Sequence, residues 1–347
     1  MAIVIVGGGA IGLLVLSRLA QAANIPPVAL LTRPNGAAAL RANPLAVSGI
    51  GACELANLTV AGAVAELPPA FQQPALAVLC VKGYDTEGAL PTLRALNPAT
   101  ILTLQNGIGN EEILAAAFGA DRVIAGAITT SVDATGPTTI TVTKEGGIGL
   151  APVGGASDLT LAETALSVAG FTVQRYPDYR AMKWSKALLN MLGNATAAIL
   201  GWPVERVYAD RRLIALERAA VREALAVMQA MGVKPVNLPR YPAALLAFGI
   251  RWLPAVVLDP ILRQRVAGGR GGKDPSLLRD LRAGRSRSEG EFLYGAVAAA
   301  AEAHGLAAPV NAGLWRILGG IARGELAWDD YRDQPERLVA ECRATVV

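Results

Sequence analysis

The amino-terminal run AIVIVGGGAIGLLVLSRLA constrains the fold more than any other part of this 347-residue chain. A short β-branched block reads as a buried parallel strand, three glycines interrupt it, and LLVLSRLAQAA continues as a helix. Gly7, Gly9 and Gly12 have the spacing G-x-G-x-x-G, in the strand–turn–helix setting that the motif requires. A Cβ at these positions would hold the backbone away from a pyrophosphate, whose charge rests on the amino end of the helix. The turn Gly7, Gly8, Gly9, Ala10, Ile11, Gly12 is therefore read as dinucleotide-binding. A glycine-rich turn that holds no ligand is the alternative.

The next strand-like run, VALLTR (28–33), ends in Thr32 and Arg33. NAD-binding chains place Asp or Glu there for the ribose 2′-hydroxyl. An arginine fork suits a 2′-phosphate instead, so NADP(H) is the expected cofactor. A solvated arginine opening a loop is the plainer alternative. ALAVLCV (75–81) and TILTLQN (100–106) each precede helix-competent sequence, as in a doubly wound parallel sheet. Lys82 in VKGYD and Asn106 in QNG then fall at carboxyl ends of strands, where such sheets bind ligands. Shorter β-like pieces between 122 and 150 are expected at the far edge of the sheet. Two domains are the expectation for this length, divided at Pro177-Asp178 into 1–177 and 178–347.

From about 180 onward the chain reads as helices, clearest over 180–200, 208–231, 289–303 and 311–323. In WSKALLNMLGN (184–194), Lys186, Asn190 and Asn194 recur at intervals of four, which places them on one face of a continuous helix. Lysine is scarce beside arginine, and Lys82, Lys186 and Lys273 lie at motif-like positions. A partly buried lysine can lose its proton and an arginine cannot, so Lys186 is the candidate general acid. A lysine snorkelling off an amphipathic helix is the alternative. In SLLRDLRAGRSRSEGEFLYGAV (276–297), Ser288 reads as a cap, and Glu289 and Glu291 open a helix. Acidic residues favour that end of the dipole, and locally this capping role prevails. The proline-rich stretch 233–275 is irregular and is expected to wrap the helical half.

The composition is 52% hydrophobic with mean hydropathy +0.38, which marks a globular chain. The glycine triplet and the lack of a basic leader argue against a secretory signal, and no apolar run reaches the ~20 residues of a membrane span. A cytoplasmic protein with no membrane partner is expected. The net charge of +4 is dispersed without a basic run, so no nucleic-acid partner is expected, and it suits an anionic small molecule. Cys53, Cys80 and Cys342 form neither a disulfide framework nor CxxC. The single histidine, His304, precedes Gly305 as a helix cap would, leaving no basis for a metal site or a Ser-His-Asp triad.

Taken in order, GGGAIG, LLTR, VKGYD, QNG, KALLNMLGN and SLLRDLRAGR with SEGEFLYG resemble the ketopantoate reductase (2-dehydropantoate 2-reductase) family over most of the chain. The resemblance implies a Rossmann-type doubly wound sheet followed by an all-helical domain like that of 6-phosphogluconate dehydrogenase. It also implies NADPH-dependent reduction of the small 2-oxo acid ketopantoate to (R)-pantoate, a step of pantothenate biosynthesis. By the same resemblance Lys186 protonates the ketone oxygen, and Asn190, Asn194 and Ser276 hold the substrate. Glu289 lies near both nicotinamide and substrate, and Arg33, Lys82 and Asn106 face the cofactor. Val204 stands near a position where a further substrate asparagine is usual, Tyr294 stands for an Asn, and one extra residue separates Asp280 from Glu289. These departures leave open a related reductase of another 2-oxo acid. A non-catalytic NADP(H) sensor would need neither Lys186 nor Glu289. A homodimer is compatible with the alanine-rich helices.

Overall fold

β1 (Ile3–Val6) is buried along its whole length, as a continuous β-branched run at the centre of a parallel sheet requires. The computed structural model describes residues 1–268 and 274–343, so Lys273 lies outside the described residues. The strands that follow are β2 (Val28–Leu31), β3 (Leu45–Gly49), β4 (Cys53–Leu55), β5 (Val60–Ala61), β6 (Leu76–Leu79) and β7 (Thr100–Thr103). β8 (Val123–Ile128), β9 (Ser131–Gly136), β10 (Thr139–Lys144), β11 (Ile148–Pro152) and β12 (Val173–Arg175) complete them. Eight form one sheet in the order β12-β11-β8-β7-β6-β1-β2-β5, parallel throughout except where β8 meets β11. The order reverses at β1, with β2 on one side and β6 on the other, which sets the switch point between β1 and β6.

Helices α1 (Ala10–Ala20), α2 (Pro34–Ala42), α3 (Thr86–Leu96), α4 (Asn110–Phe118) and α5 (Thr160–Val168) accompany the sheet. Ile3 and Ile5 pack into one core with Leu13, Leu16 and Leu166, while Val4 and Val6 pack into another with Leu93 and Leu114. The period-two alternation of β1 thus feeds both faces of the sheet. Residues 131–144 depart from the expected sheet edge. β9 and β10 form a separate four-stranded sheet in the order β4-β3-β10-β9. In β10 only Ile140 and Val142 are buried, and such half-buried alternation suits a one-sided sheet, not a strand covered on both faces.

The chain divides into two compact units, Met1–Lys183 with Leu238–Tyr241, and Trp184–Asn237 with Pro242–Val347. The second is helical: α6 (Tyr179–Met191, whose first turn counts with the other unit), α7 (Ala195–Leu200), α8 (Val204–Ala209), α9 (Arg211–Ala230), α10 (Ala243–Trp252), α11 (Ala255–Leu262), α12 (Ser276–Arg282), α13 (Tyr294–Ala303), α14 (Pro309–Arg323) and α15 (Pro335–Arg343). Among the described residues no helix is long and apolar enough to cross a membrane. The stretch expected to wrap the helical half does not stay there, because Leu238–Tyr241 returns to the first unit. Thr129 Oγ1 donates to the Pro239 carbonyl at 3.0 Å, Arg240 pairs with Glu145 at 3.2 Å, and Lys144 lies 4.7 Å from the Tyr241 ring centre.

The helix expected over 180–200 is broken between α6 and α7. Gly193 adopts φ +63°, and a Cβ there would lie 2.7 Å from Val204 Cγ1. Its N–H donates to the buried Glu217 carboxylate at 2.7 Å. The Tyr294 hydroxyl closes both ends of the gap, donating to the Met191 carbonyl at 2.5 Å and accepting from the Ala195 N–H at 3.1 Å. Backbone groups that a broken helix would leave unpaired are thereby satisfied. Lys186 and Asn190 share a helical stripe, and Asn194, beyond the break, does not. Gly193→Ala combines a left-handed backbone with an overpacked contact, so a loss of at least ~2 kcal/mol is expected. An unchanged urea midpoint would show that the break does not depend on this glycine.

Candidate active site

The three motif glycines answer to different constraints. Gly7 has φ +113°, and a Cβ on it would stand 2.9 Å from the Cys80 carbonyl carbon and the Val81 nitrogen, at the carboxyl end of β6. A Cβ on Gly12 would lie 1.8 Å from the Gly7 carbonyl oxygen, so α1 could not lie against β1. Gly9 differs: a Cβ there meets nothing within 4 Å. It is the N-cap of α1, and no side chain caps that helix. Packing fixes Gly7 and Gly12, whereas Gly9 keeps open a cradle before the amino end of a helix. That is the arrangement a pyrophosphate needs, and these residues fit a dinucleotide. Arg33 follows β2 and precedes α2, with its side chain 85% exposed and 3.4 Å from the Asp85 carboxylate.

The loops after β6 and β7 are tied together by buried polar groups. Gln105 Nε2 donates to the Lys82 carbonyl at 3.3 Å and to Thr86 Oγ1 at 2.8 Å, while its Oε1 accepts from Thr103 Oγ1 at 2.9 Å. Asn110 Nδ2 donates to the Asn106 carbonyl at 3.2 Å. Lys82 and Asn106 are half-buried on these linked loops.

Beneath them lies Lys183, in the first turn of α6 and only 3% exposed. Its ammonium donates to the Gln105 carbonyl at 2.6 Å and the Gly126 carbonyl at 3.4 Å, and pairs with Glu111 at 2.8 Å. Burial pushes the Glu111 carboxyl above the usual carboxylate range, against the pull of the Lys183 charge. Sequence reasoning passed over Lys183 because its partners are distant in the chain. The available signal was a second lysine, three residues before Lys186, in an apolar helix.

In the second unit Lys186 and Asn190 are half-buried on α6. Asn194 is buried, and its amide is engaged: Nδ2 donates to the Asn190 carbonyl at 3.1 Å, and Oδ1 accepts from the Leu277 N–H at 3.2 Å. Nδ2 also lies 3.5 Å from Ser276 Oγ, so the structure joins Asn194 and Ser276 at the start of α12. Glu289 is buried and begins a 3-10 turn, Glu289–Phe292, before α13 starts at Tyr294. The expected continuous helix from 289 gives way there because Gly290 lies tight against α14, where a Cβ would come within 2.6 Å of Leu318. Ser288 caps the turn, accepting from the Gly290 N–H at 3.1 Å. His304 caps α13 through its ring nitrogen, 2.8 Å from the Ala300 carbonyl.

A glycine cradle at the switch point of a parallel sheet, followed in one chain by a helical unit, is the build of a nicotinamide-dinucleotide-dependent oxidoreductase. Residues 3–155 match the family model of ketopantoate reductase PanE/ApbA, and residues 178–322 match that of its C-terminal region. A 2-dehydropantoate 2-reductase of Halobacterium salinarum is 33% identical over 257 residues, covering 71% of this chain and 76% of that protein. The chain belongs to the ketopantoate reductase family. The crystal structure of a PanE/ApbA family ketopantoate reductase from Ralstonia eutropha superposes with TM-score 0.77 at 25% identity, covering 94% of this chain and 99% of that one. That of a 2-dehydropantoate 2-reductase from Geobacter metallireducens gives 0.76 at 26%, covering 92% and 99%.

Removing one partner of a buried ion pair leaves the other charged and unpaired, at a cost of ~3–5 kcal/mol. Lys183→Met is therefore expected to lower the urea midpoint steeply. The double variant Lys183→Met/Glu111→Leu should regain much of that loss, since neither charge then remains buried. A single variant as stable as the parent would show that the pair is solvated in solution.

Proposed function

We propose that this chain reduces 2-dehydropantoate to (R)-pantoate with NADPH as the reductant. The observation that carries the reading is Lys186, half-buried on α6 one turn before Asn190, in a chain that belongs to the ketopantoate reductase family. When bound, the cofactor supplies a hydride to the ketone carbon. Lys186 holds the proton that the ketone oxygen takes up, a contribution of ~10²–10⁴-fold for a positioned general acid. The Asn190 amide and the Ser276 hydroxyl bind the carboxylate and hydroxyl ends of the substrate. Asn194 holds Ser276 in place, which its contacts with Leu277 and Ser276 support. Glu289 orients the Lys186 ammonium or the substrate hydroxyl.

On the cofactor side, Gly9 with the amino end of α1 receives the pyrophosphate, and Lys82 and Asn106 line the nicotinamide half. Arg33 takes the 2′-phosphate. Its exposure and the absence of a carboxylate at Thr32 support NADPH over NADH. If so, Arg33→Ala should weaken NADPH by ~1.5–3 kcal/mol, the worth of hydrogen bonds to a charged group, and leave NADH nearly unchanged. Equal losses for both cofactors, measured by fluorescence titration, would reduce Arg33 to a loop former.

Lys186→Met keeps the stem and removes the proton donor. A fall in kcat of at least ~100-fold with NADPH affinity intact is expected. A folded variant that keeps most of its kcat would take Lys186 out of the mechanism.

The activity itself is tested by following NADPH absorbance with ketopantoate and with 2-oxo-3-methylbutanoate, which lacks the hydroxymethyl group. A site built to hydrogen-bond a hydroxyl rejects an analogue without one by ~10⁴-fold, because its own polar groups are left unpaired. Ketopantoate should be far the better substrate by kcat/KM. Val204, buried against Gly193, offers no amide to the substrate, which favours the apolar acid to that extent. Equal or better turnover of the hydroxyl-free acid would replace the ketopantoate assignment with that of a related 2-oxo acid reductase.

A further inference from the structure

The Lys183 and Glu111 side chains are 3% and 1% exposed, and an apolar pair of similar volume in such a place is often as stable or more so. Stability alone gives little reason for two charges there, whereas their geometry gives another. The ammonium has three protons and meets three acceptors: the Gln105 carbonyl at 2.6 Å, Glu111 at 2.8 Å and the Gly126 carbonyl at 3.4 Å. Gly126 lies inside β8 and Glu111 in the first turn of α4. Two regular elements thus hold the ammonium, and the ammonium holds Gln105.

Gln105 begins a loop that belongs to neither a strand nor a helix. It runs to α4 at Asn110, and Gly107 and Gly109 turn it with φ +92° and +104°. The peptide plane that carries the Gln105 carbonyl also carries the Asn106 N–H. The next plane carries the Asn106 carbonyl, which accepts from Asn110 Nδ2 at 3.2 Å. With both flanking planes held, the φ and ψ of Asn106 are set, and so is the direction in which its side chain leaves the backbone. The Gln105 side chain extends the constraint to the neighbouring loop, donating to the Lys82 carbonyl at 3.3 Å and to Thr86 Oγ1 at 2.8 Å. One interior cation stands behind both residues assigned to the nicotinamide half of the cofactor.

We propose that Lys183, with Glu111 as its counter-charge, is a positioning residue for the nicotinamide end of the cofactor, acting through the Gln105–Asn106 backbone and the Lys82 loop. This rests on the cofactor half of the function proposed above, and not on which 2-oxo acid is reduced.

The test is carried out on the full chain by fluorescence titration with NADPH and by competition with 2′-phospho-ADP-ribose, the same molecule without its nicotinamide. Lys183→Met/Glu111→Leu should keep the circular dichroism of the parent and bind the fragment as the parent does. It should bind NADPH at least ~10-fold more weakly, the equivalent of one well-placed hydrogen bond lost. A merely structural pair would not separate dinucleotide from fragment. A folded double variant that binds NADPH like the parent overturns the proposal, and so does one that loses dinucleotide and fragment alike. If that variant does not fold, Lys183→Leu/Glu111→Met, which exchanges the two volumes, is carried through the same titrations. Failure of both to fold overturns the proposal, because the pair is then required by the fold itself. A parent that prefers NADH is titrated with NADH against ADP-ribose, and only the Arg33 assignment falls. A parent that binds neither dinucleotide removes the cofactor reading, and this inference with it.

Discussion

A single ammonium in the core of the first unit holds together what the rest of the site is built on. Lys183 draws in the carbonyl at the end of β7, a carbonyl inside β8 and the Glu111 carboxylate of α4. Two charges without solvent carry a large desolvation cost, which attraction offsets only when the remaining donors are also satisfied. The two carbonyls do that. The Gln105 carbonyl is fixed by Lys183 while its side chain fixes the Lys82 loop, so one buried cation sets the ends of two strands. These ends border the crevice where doubly wound sheets take their ligands. The first turn of the helix that later carries Lys186 is pinned by the same contact.

The second unit uses a buried carboxylate in a comparable way. Glu217 accepts from the Gly193 N–H and the Tyr208 hydroxyl and bonds Thr196, which stabilises an interruption that the helix would otherwise close. Tyr294 bridges the interruption from α13. The result is a change in what Asn194 can do. On an unbroken helix its amide would continue the row begun by Lys186 and Asn190. With the break, it serves the amino end of α12 and holds Ser276. The tyrosine that departs from the family pattern acts on the backbone here, and its hydroxyl is consumed by the gap.

Much of this protein was legible in its residues. The β-branched run before GGGAIG specified a central parallel strand, because only a strand covered on both faces tolerates such a run. The glycine spacing specified a tight turn into an uncapped helix start, and the ordered motifs specified the ketopantoate reductase family, to which the chain belongs. These signals are local or depend only on order along the chain, so one sequence suffices to read them.

Other features depend on contacts distant in sequence, and only the tertiary structure decided them. Gly7, Gly9 and Gly12 look alike in the chain. Their differing roles come from what stands opposite each Cβ position, whether Cys80, open space or the Gly7 carbonyl. The helix over 180–200 was broken by residues at 204, 217 and 294, which helical periodicity cannot register. β9 and β10 joined a second sheet because β3, the partner of β10, lies some ninety residues earlier. Lys183 was one lysine among several until Glu111 and two carbonyls met it in the core. Local sequence determines which backbone forms are favoured. Desolvation and close packing, which need the folded neighbours, determine which of them persist and which side chains remain available for chemistry.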